Sequence, residues 1–413
     1  MHRVRLAGVA ALSAGVALAA CGRRPAAPAA SRSYLYVWAG TDSAGGGASD
    51  FLAVVDADTA SPTYAMVVAT APVGAAGTMP HHTEMVMPGG GQWLFANGFM
   101  AGRTFLFDLA NPLAPRLAGT IDSVPGFAKP HSFTRLADGT VLATLQYGDR
   151  SRPGDPGGLV LFSARGRPLR SASAADPAFP GAPIRTYSLD VAPAADRVIT
   201  TSAPMDEVPS ADVVQVWRLA DLKLLRTLAL APAADSTSRW PFEVRFLPGD
   251  SLAFLNTYHC GFYLLSGLAS AAPRLEHVLS LALPAFACGV PLLVGHWWIV
   301  PVGQLHRYLV YDLADPRHPR QAGELATDAT FLPHWMAREP GTDRVVLTSG
   351  SGDHRVLLAR FDSAAGMLAW DSTFHDPGAG RLGVDFARQT WPHGSFGPAM
   401  PHGAIFNAAA KAR

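Results

Sequence analysis

One short pattern recurs along the chain and limits the folds that are open to it. A run of apolar residues ends in a polar turn, usually at an aspartate, and a second strand-like run follows. The clearest copies are Leu106–Gly119 and Val310–Gly323, and weaker copies start at Val55, Val216 and Arg360. Two such runs joined by a hydrogen-bonding turn describe a β-hairpin. Their recurrence at roughly 40 to 50 residues is typical of the blades of a propeller.

A second strand pair precedes each hairpin, so that each unit holds four strands. Turn residues join the members of such pairs within Met85–Phe95, Phe133–Ala143 and Leu189–Thr200. About seven such units predict an all-β fold, a seven-bladed β-propeller with four-stranded blades, in which His393–Asn407 closes the ring beside the first blade. Two β-sandwich domains are the alternative, which the regular repeat disfavours. The units are predicted to begin near Tyr34, His81, His131, Tyr187, Phe242, Phe286 and His334.

The first residues of the chain have the pattern of an export signal. Arg3 and Arg5 precede the short apolar run Leu6–Leu18, and the cleavage box of a bacterial lipoprotein follows, ending at Cys21. A plain signal peptide is the alternative. We therefore expect an exported, periplasm-facing lipoprotein with a lipid anchor on Cys21, and Gly22 favours the outer membrane. The predicted segments are a signal peptide at 1–20, the lipidated cysteine with an Ala/Pro-rich tether at 21–32, and the propeller at 33–413.

Charge and composition exclude one class of partner. The 413 residues are 49% hydrophobic, enough for a large core, and carry 33 Lys and Arg against 32 Asp and Glu. Without a basic field, the chain is not expected to bind nucleic acid. The composition specifies no oligomeric state.

Four Pro-His pairs occupy the same place in the repeat and carry the strongest functional signal. Each opens the innermost strand of a blade, so ring closure brings the imidazoles together at one mouth of the axis, where they suit copper, zinc, iron or nickel. On an ideal strand, the side chain of His82 points to the opposite face from that of His81, so a bulge or a loop is needed to turn it toward the axis. An unmetallated polar channel and coincidence are the alternatives. The predicted metal ligands are His81, His82, His131, His334 and His402.

Other candidates are weaker. Glu243 lies at the start of the innermost strand of the fifth unit. Its possible roles are a metal ligand, a hydrogen-bond partner that orients an imidazole, or a general base; the alternative is a carboxylate at the channel mouth without such a role. Cys260 and Cys288 form either a disulfide or two buried thiols, and Cys288 is also a candidate soft ligand. His393 is either an extra ligand or part of a surface loop. No hydrolase or nucleotide-binding motif stands out.

Several segments together resemble the selenium-binding protein/methanethiol oxidase family. They follow the family's order over most of the chain beyond the tether. The segments are Asp50–Tyr64, His81-His82, His131 with the turn Asp138–Val141, Gly157–Leu161, Pro241–Leu247 and Leu305–Arg320.

The resemblance implies a propeller with a copper centre built from histidines. It further implies an oxidase that converts methanethiol, oxygen and water to formaldehyde, hydrogen sulfide and hydrogen peroxide. Its matching ligands are His81, His82, His131 and His402, whereas His334 rests on the repeat alone. We expect a copper-dependent oxidase of a small thiol in which Glu243 manages protons. Zinc, or no metal, and a non-enzymatic metal- or ligand-binding envelope propeller are the alternatives.

Two departures from the family bear on this expectation. The stretch Thr83–Asn97 holds no cysteine, whereas better-known members have a cysteine-rich loop there that is proposed to hold selenium. Selenium binding is therefore not expected. Cys288 stands where the family has an acidic residue, so the oxidase site is not fully matched.

Overall fold

The computed structural model describes most of the chain beyond residue 31. The described residues are 32–41, 49–87, 93–148, 154–206, 209–231, 239–270, 272–281, 283, 288–394 and 397–407. The predicted signal peptide, Cys21 and all of the tether except Arg32 lie outside them, as does Phe286. Within the described residues, 29 strands form seven sheets.

The strands follow one another blade by blade. The first three blades contain β1 (Tyr34–Thr41), β2 (Phe51–Asp56) and β3 (Val67–Pro72); β4 (Pro80–Thr83), β5 (Trp93–Gly98), β6 (Arg103–Asp108) and β7 (Arg116–Ile121); and β8 (Ala128–Arg135), β9 (Val141–Tyr147), β10 (Gly158–Phe162) and β11 (Pro168–Ser173). The fourth and fifth contain β12 (Thr186–Ala192), β13 (Arg197–Ser202), β14 (Val213–Arg218) and β15 (Lys223–Ala229); and β16 (Pro241–Phe246), β17 (Ala253–Thr257), β18 (Gly261–Ser266) and β19 (Arg274–Ser280). The last two contain β20 (Leu292–Val294), β21 (Trp297–Val302), β22 (Arg307–Asp312) and β23 (Arg320–Ala326); and β24 (Pro333–Arg338), β25 (Arg344–Ser349), β26 (Arg355–Asp362), β27 (Met367–Trp370) and β28 (Val384–Asp385).

The last strand of the chain closes the ring. Strand β29 (Ala399–Phe406) pairs antiparallel with β1, so that Leu35 lies opposite Phe406, and it becomes the innermost strand of the first blade. Innermost strands β4, β8, β12, β16, β20 and β24 lead the other blades. The predicted seven-bladed propeller of antiparallel, four-stranded blades is confirmed, and β28 is an extra short strand on the seventh.

The burial of each strand explains its pattern of apolar and polar residues. The second strand β9 of the third blade is buried throughout, and its sequence is a nearly continuous apolar run. The outermost strand β7 of the second blade alternates exposed and part-buried residues, as expected for a strand with one face toward solvent. Between blades, large side chains interlock: the ring of Trp38 lies 5.4 Å from the ring of Phe105. The core therefore lies between neighbouring sheets.

The repeated aspartates have one structural role. The side-chain Oδ1 of Asp108 accepts a hydrogen bond from the Ala110 N–H at 3.0 Å, and that of Asp312 accepts one from Ala314 at 2.8 Å. Asp362 makes the same bond to the Ala364 N–H at 2.8 Å. Each aspartate thus caps the turn that ends a third strand and starts the fourth.

The sixth blade departs from the prediction. Its innermost strand begins at Leu292, and the preceding Cys288 forms an isolated bridge with Val302 and a disulfide bond with Cys260. Helical structure in the described residues consists of short 3-10 turns at Pro193–Ala195 and Gly303–Leu305. In that part of the chain no helix has the length and apolar character needed to cross a membrane.

Candidate metal centre

A bulge accompanies each Pro-His pair, which opens the innermost strand in β4 and β24 and lies two residues after its start in β8 and β29. The pairing of β4 with β5 shifts between Pro80 and Thr83, and the pairing of β24 with β25 shifts between Pro333 and Trp335. A bulge adds a residue on one strand and re-aims its side chains. In β4 it turns both His81 and His82 inward, so that their rings stack at 4.4 Å with an interplanar angle of 10°.

The structure brings all five predicted histidines together around the axis. The ring of His81 is central, with its centroid 4.1 Å from that of His402 and 5.1 Å from that of His131. The ring of His334 lies 4.7 Å from that of His402. Ligand nitrogens within 4.8 Å of one another define two groups that share His81, namely His81 with His82 and His131, and His81 with His334 and His402.

Hydrogen bonds from the surrounding blades fix two of the imidazoles. The Nδ1–H of His131 donates to the carbonyl oxygen of Tyr187 at 3.0 Å, and that of His402 donates to the carbonyl of His81 at 2.7 Å. A carbonyl only accepts, so each ring carries its proton on Nδ1 and keeps the lone pair of Nε2. The Ser132 hydroxyl lies within 3.1 Å of Nδ1 of His82 and 3.0 Å of Nδ1 of His131.

Four buried ring nitrogens of the cluster have no hydrogen-bond partner among the described residues. They are Nδ1 of His81 and Nε2 of His82, His131 and His334. Buried polar atoms are nearly always paired, because an unpaired one loses its hydration without compensation. Nitrogens that converge without partners are suited to bind a cation that replaces the missing contacts. The donor set therefore fits a metal ion, and the role of these histidines as ligands remains a prediction.

Burial also keeps the imidazoles uncharged. It lowers the pKa of His131 to about 3 and that of His334 to about 4, against an ordinary value of about 6.5. The pKa values of His81, His82 and His402 are lowered well below that value, first by burial and then by the neighbouring imidazoles. At neutral pH the cluster thus presents lone pairs to a metal, with no proton to displace.

Glycines allow the innermost strands to approach closely at this point. A Cβ atom on Gly403 would lie 2.9 Å from the carbonyl oxygen of His81 and 3.0 Å from the Thr83 nitrogen. One on Gly289 would lie 2.5 Å from the carbonyl oxygen of His334. The sequence Pro-His-Gly at His402 therefore reflects packing between neighbouring blades.

The structure places Glu243 deep in the channel, outside both groups of histidines. It is 0% exposed, so it is not a carboxylate at the channel mouth. Its Oε2 accepts hydrogen bonds from the Ser188 hydroxyl at 2.7 Å and from Arg245 Nη1 at 2.9 Å, while Oε1 has no hydrogen-bond partner in the part of the chain that the structure describes. Burial raises its pKa, and the Arg245 charge opposes that rise. Its predicted part in proton transfer remains a prediction.

A cavity of about 840 Å³ opens onto His81, His334 and His402. Its lining includes Tyr258 and His354, which sequence reasoning did not assign to the site. Nothing in the spacing of the Pro-His pairs indicates His354. Ser132 was also missed, although its place directly after His131 was a usable signal.

Two further candidates lie outside the cluster. Cys288 is joined to Cys260 in a disulfide and both are fully buried, so the prediction of a thiolate ligand is wrong. His393 bonds through Nδ1 to the Thr70 hydroxyl at 2.8 Å, and its ring lies 4.8 Å from that of Phe51. It belongs to neither group of histidines.

Fold and site together define a class of protein: a seven-bladed β-propeller with an axial histidine cluster open to a cavity. No protein-family model matches the chain. A methanethiol oxidase from Hyphomicrobium sp is 26% identical over 229 residues, which is 51% of this chain and 51% of that relative. The match thus spans about half of the relative's length.

Solved structures show the same architecture. A hypothetical selenium-binding protein from Sulfolobus tokodaii superposes with a TM-score of 0.74 at 15% identity, over 92% of this chain and 95% of its own. With the oxidase match, it confirms the resemblance to the selenium-binding protein/methanethiol oxidase family. A periplasmic gluconolactonase from Pseudomonas aeruginosa superposes with a TM-score of 0.61 at 14% identity, over 92% and 100% of the two chains. The fold alone therefore does not select the activity.

Proposed function

We propose that this protein is a copper-dependent oxidase of a small thiol. Its reaction would convert the thiol, oxygen and water to an aldehyde, hydrogen sulfide and hydrogen peroxide. The observation that carries the proposal is the convergence of five uncharged imidazoles, of which His81, His334 and His402 line a cavity. The similarity of half of the chain to a methanethiol oxidase supports this choice of reaction.

The histidine cluster supplies the ligands that copper prefers among nitrogen donors. His81, His82 and His131 form a buried group, and His81, His334 and His402 form a group that faces the cavity. Imidazole suits copper, and zinc fits the same donors. A bound copper ion would supply the redox chemistry that links thiol and oxygen.

The surrounding residues orient this centre and provide a place for a proton. The carbonyl of Tyr187 and the hydroxyl of Ser132 hold the ring of His131, so its Nε2 stays available. Glu243, with its raised pKa, can hold a proton on the Oε1 oxygen that has no hydrogen-bond partner among the residues described. Glu243 is therefore the proposed proton carrier, in contact with Ser188, which directly follows Tyr187.

The proposed location is the periplasmic side of the outer membrane, through a lipid on Cys21. The Cys260–Cys288 disulfide supports export, because disulfides persist mainly in oxidising compartments. Labelling with a radioactive fatty acid tests the anchor: a Cys21→Ser variant should lose the label and be released from the membrane fraction.

Metal content tests the proposed function directly. Purified protein should bind copper, measured by mass spectrometry and electron paramagnetic resonance, and His131→Ala and His402→Ala should weaken binding. His318→Ala is the control, because that side chain is 81% exposed. The copper-loaded protein should then release sulfide and peroxide from methanethiol.

Two outcomes contradict the oxidase. A protein that holds no metal after copper loading, and is unchanged by the histidine substitutions, would refute it. Copper binding without sulfide or peroxide would leave a metal-binding propeller of the cell envelope.

A further inference from the structure

A second hollow lies beside the histidine cluster and is larger than methanethiol requires. Its volume is about 340 Å³, and its lining includes His81 and His334 together with Met205, Trp240, Phe242 and Tyr258. Methanethiol has a single carbon and a single sulfur. Cavities of about 300 to 1,000 Å³ hold molecules of drug size. We call this space the aromatic hollow.

One wall of the aromatic hollow is a series of flat rings. Phe242 and Tyr258 stack with centroids 5.0 Å apart and planes at 29°, and Trp240 and Tyr258 stack at 5.9 Å and 23°. At its inner end, Phe242 lies 4.3 Å from Tyr187, which lies 3.8 Å from His131. The ring series thus runs from the histidine cluster to Trp240. The faces of these aromatic rings favour the binding of a flat, apolar ligand.

The backbone at Trp240 is held in an unusual conformation. Its φ is 56°, in the left-handed region, although the residue is bulky and directly precedes Pro241. Its N–H donates to Asp212 Oδ1 at 2.7 Å, which helps to hold this geometry. Met79 before Pro80 and Lys129 before Pro130 share this conformation, with φ of 58° and 61°, and Met79 lines the larger cavity. Backbone strain of this kind persists where the surroundings enforce it, commonly at ligand sites.

A negative charge in the lining of the aromatic hollow limits the kind of ligand that it can bind. Its lining includes one carboxylate, that of Asp206, which accepts a hydrogen bond from the Tyr147 hydroxyl. An anionic substituent would meet this charge, whereas a neutral aromatic ring would meet the flat wall. Because His81 and His334 line both spaces, a sulfur attached through one carbon to such a ring would lie beside the histidines.

We propose that the aromatic hollow binds the flat apolar substituent of the substrate, so that the preferred substrates are arylmethyl thiols such as phenylmethanethiol. This inference rests on the proposed function and names its substrate class. In the reaction, the C–S bond and one C–H bond of the same carbon break, and a C=O bond forms with the oxygen of water. The sulfur keeps its proton and takes a second one to leave as hydrogen sulfide, and the other two protons go to the reduced oxygen. The carbon loses two electrons to O₂, and the products are benzaldehyde, hydrogen sulfide and hydrogen peroxide.

Binding to the metal-free protein tests the hollow without turnover. Calorimetric titration with benzyl methyl sulfide should show affinity at least about tenfold above that of dimethyl sulfide. Trp240→Gly should remove this preference, and glycine accepts the left-handed backbone, so the change adds no strain there. Trp370→Ala, at a half-buried tryptophan on the outermost paired strand β27, is the control and should keep the preference. Equal affinities for the two sulfides, or an unchanged preference in Trp240→Gly, would overturn the inference.

Turnover separates the two proposals. With copper, kcat/KM for phenylmethanethiol should exceed that for methanethiol, and Trp240→Gly should lower the former by a larger factor than the latter. Methanethiol oxidation without any preference would refute the hollow and leave the oxidase standing. Oxidation of neither thiol, with Trp240-dependent binding of benzyl methyl sulfide, would refute the oxidase and support the hollow as a ligand site.

Discussion

Acid should destabilise the metal-free protein steeply, because its axial histidines resist protonation while it is folded. Burial lowers the pKa of His131 to about 3 and that of His334 to about 4, whereas histidine in an unfolded chain titrates near 6.5. Between those values the unfolded chain holds more protons than the folded one. The folded state therefore keeps its full stability at pH values well above 6.5. The free energy of unfolding falls as the pH drops through 6.5 toward the folded pKa values.

The size of the loss follows from the same shifts. A histidine that stays unprotonated in the fold contributes a loss of about 1.4 kcal/mol between pH 7.5 and pH 5.5. His131 and His334 together therefore contribute a loss of about 3 kcal/mol, and the lowered pKa values of His81, His82 and His402 add to it in the same direction. Because whole domains are stable by about 5 to 15 kcal/mol, this is a large fraction of the total.

Guanidinium unfolding at pH 7.5, 6.5 and 5.5, after treatment with a chelator, measures this loss. His131→Asn should reduce the loss by about 1 kcal/mol over the two pH units, because one buried imidazole is gone. His318→Asn should leave it unchanged, since that side chain is 81% exposed. A free energy of unfolding that stays constant from pH 7.5 to 5.5 would refute the reasoning.

Two substitutions test the packing around the site. Gly403→Ala should weaken copper binding by about tenfold or more in a competition titration, because its Cβ would lie 2.9 Å from the carbonyl oxygen of His81. Gly119→Ala is the control and should bind copper normally, because no atom lies within 4 Å of the Cβ that it adds. Arg135→Met should lower the free energy of unfolding by about 3 to 5 kcal/mol, because it leaves the buried carboxylate of Glu84 without its ion-pair partner. Arg307→Met breaks an exposed ion pair and should lower the free energy of unfolding by at most about 1 kcal/mol. Equal effects of the two glycine changes, or of the two arginine changes, would contradict these assignments.

The repeat made the fold and the main histidines predictable. Strand-final aspartates mark the same turn in each copy, and a Pro-His pair at the same position in several units identifies side chains that a ring must bring together. His82 could not be placed in this way, because its inward direction depends on a bulge that alternation does not reveal. Tyr258 and Trp240 were missed for a related reason. They meet the cluster only through contacts between blades, which depend on ring closure.

The sixth blade shows a second limit. The repeat placed its innermost strand near Phe286, but the structure begins that strand at Leu292 and ties Cys288 to Cys260. The disulfide links the fifth blade to the segment that leads into the sixth. The sequence indicates that such a pair is possible without indicating that it forms.

The strand that closes the ring also determines when the cluster can exist. His402 lies on β29 and bonds to the carbonyl of His81, which is 321 residues earlier in the chain. Contacts between such distant residues form late in folding, because a long loop must close first. A ligand that requires both imidazoles binds only the closed ring, so its binding free energy adds to the stability of that closure. The two ends of the propeller would then be held together by strand pairing and by the occupant of its axis.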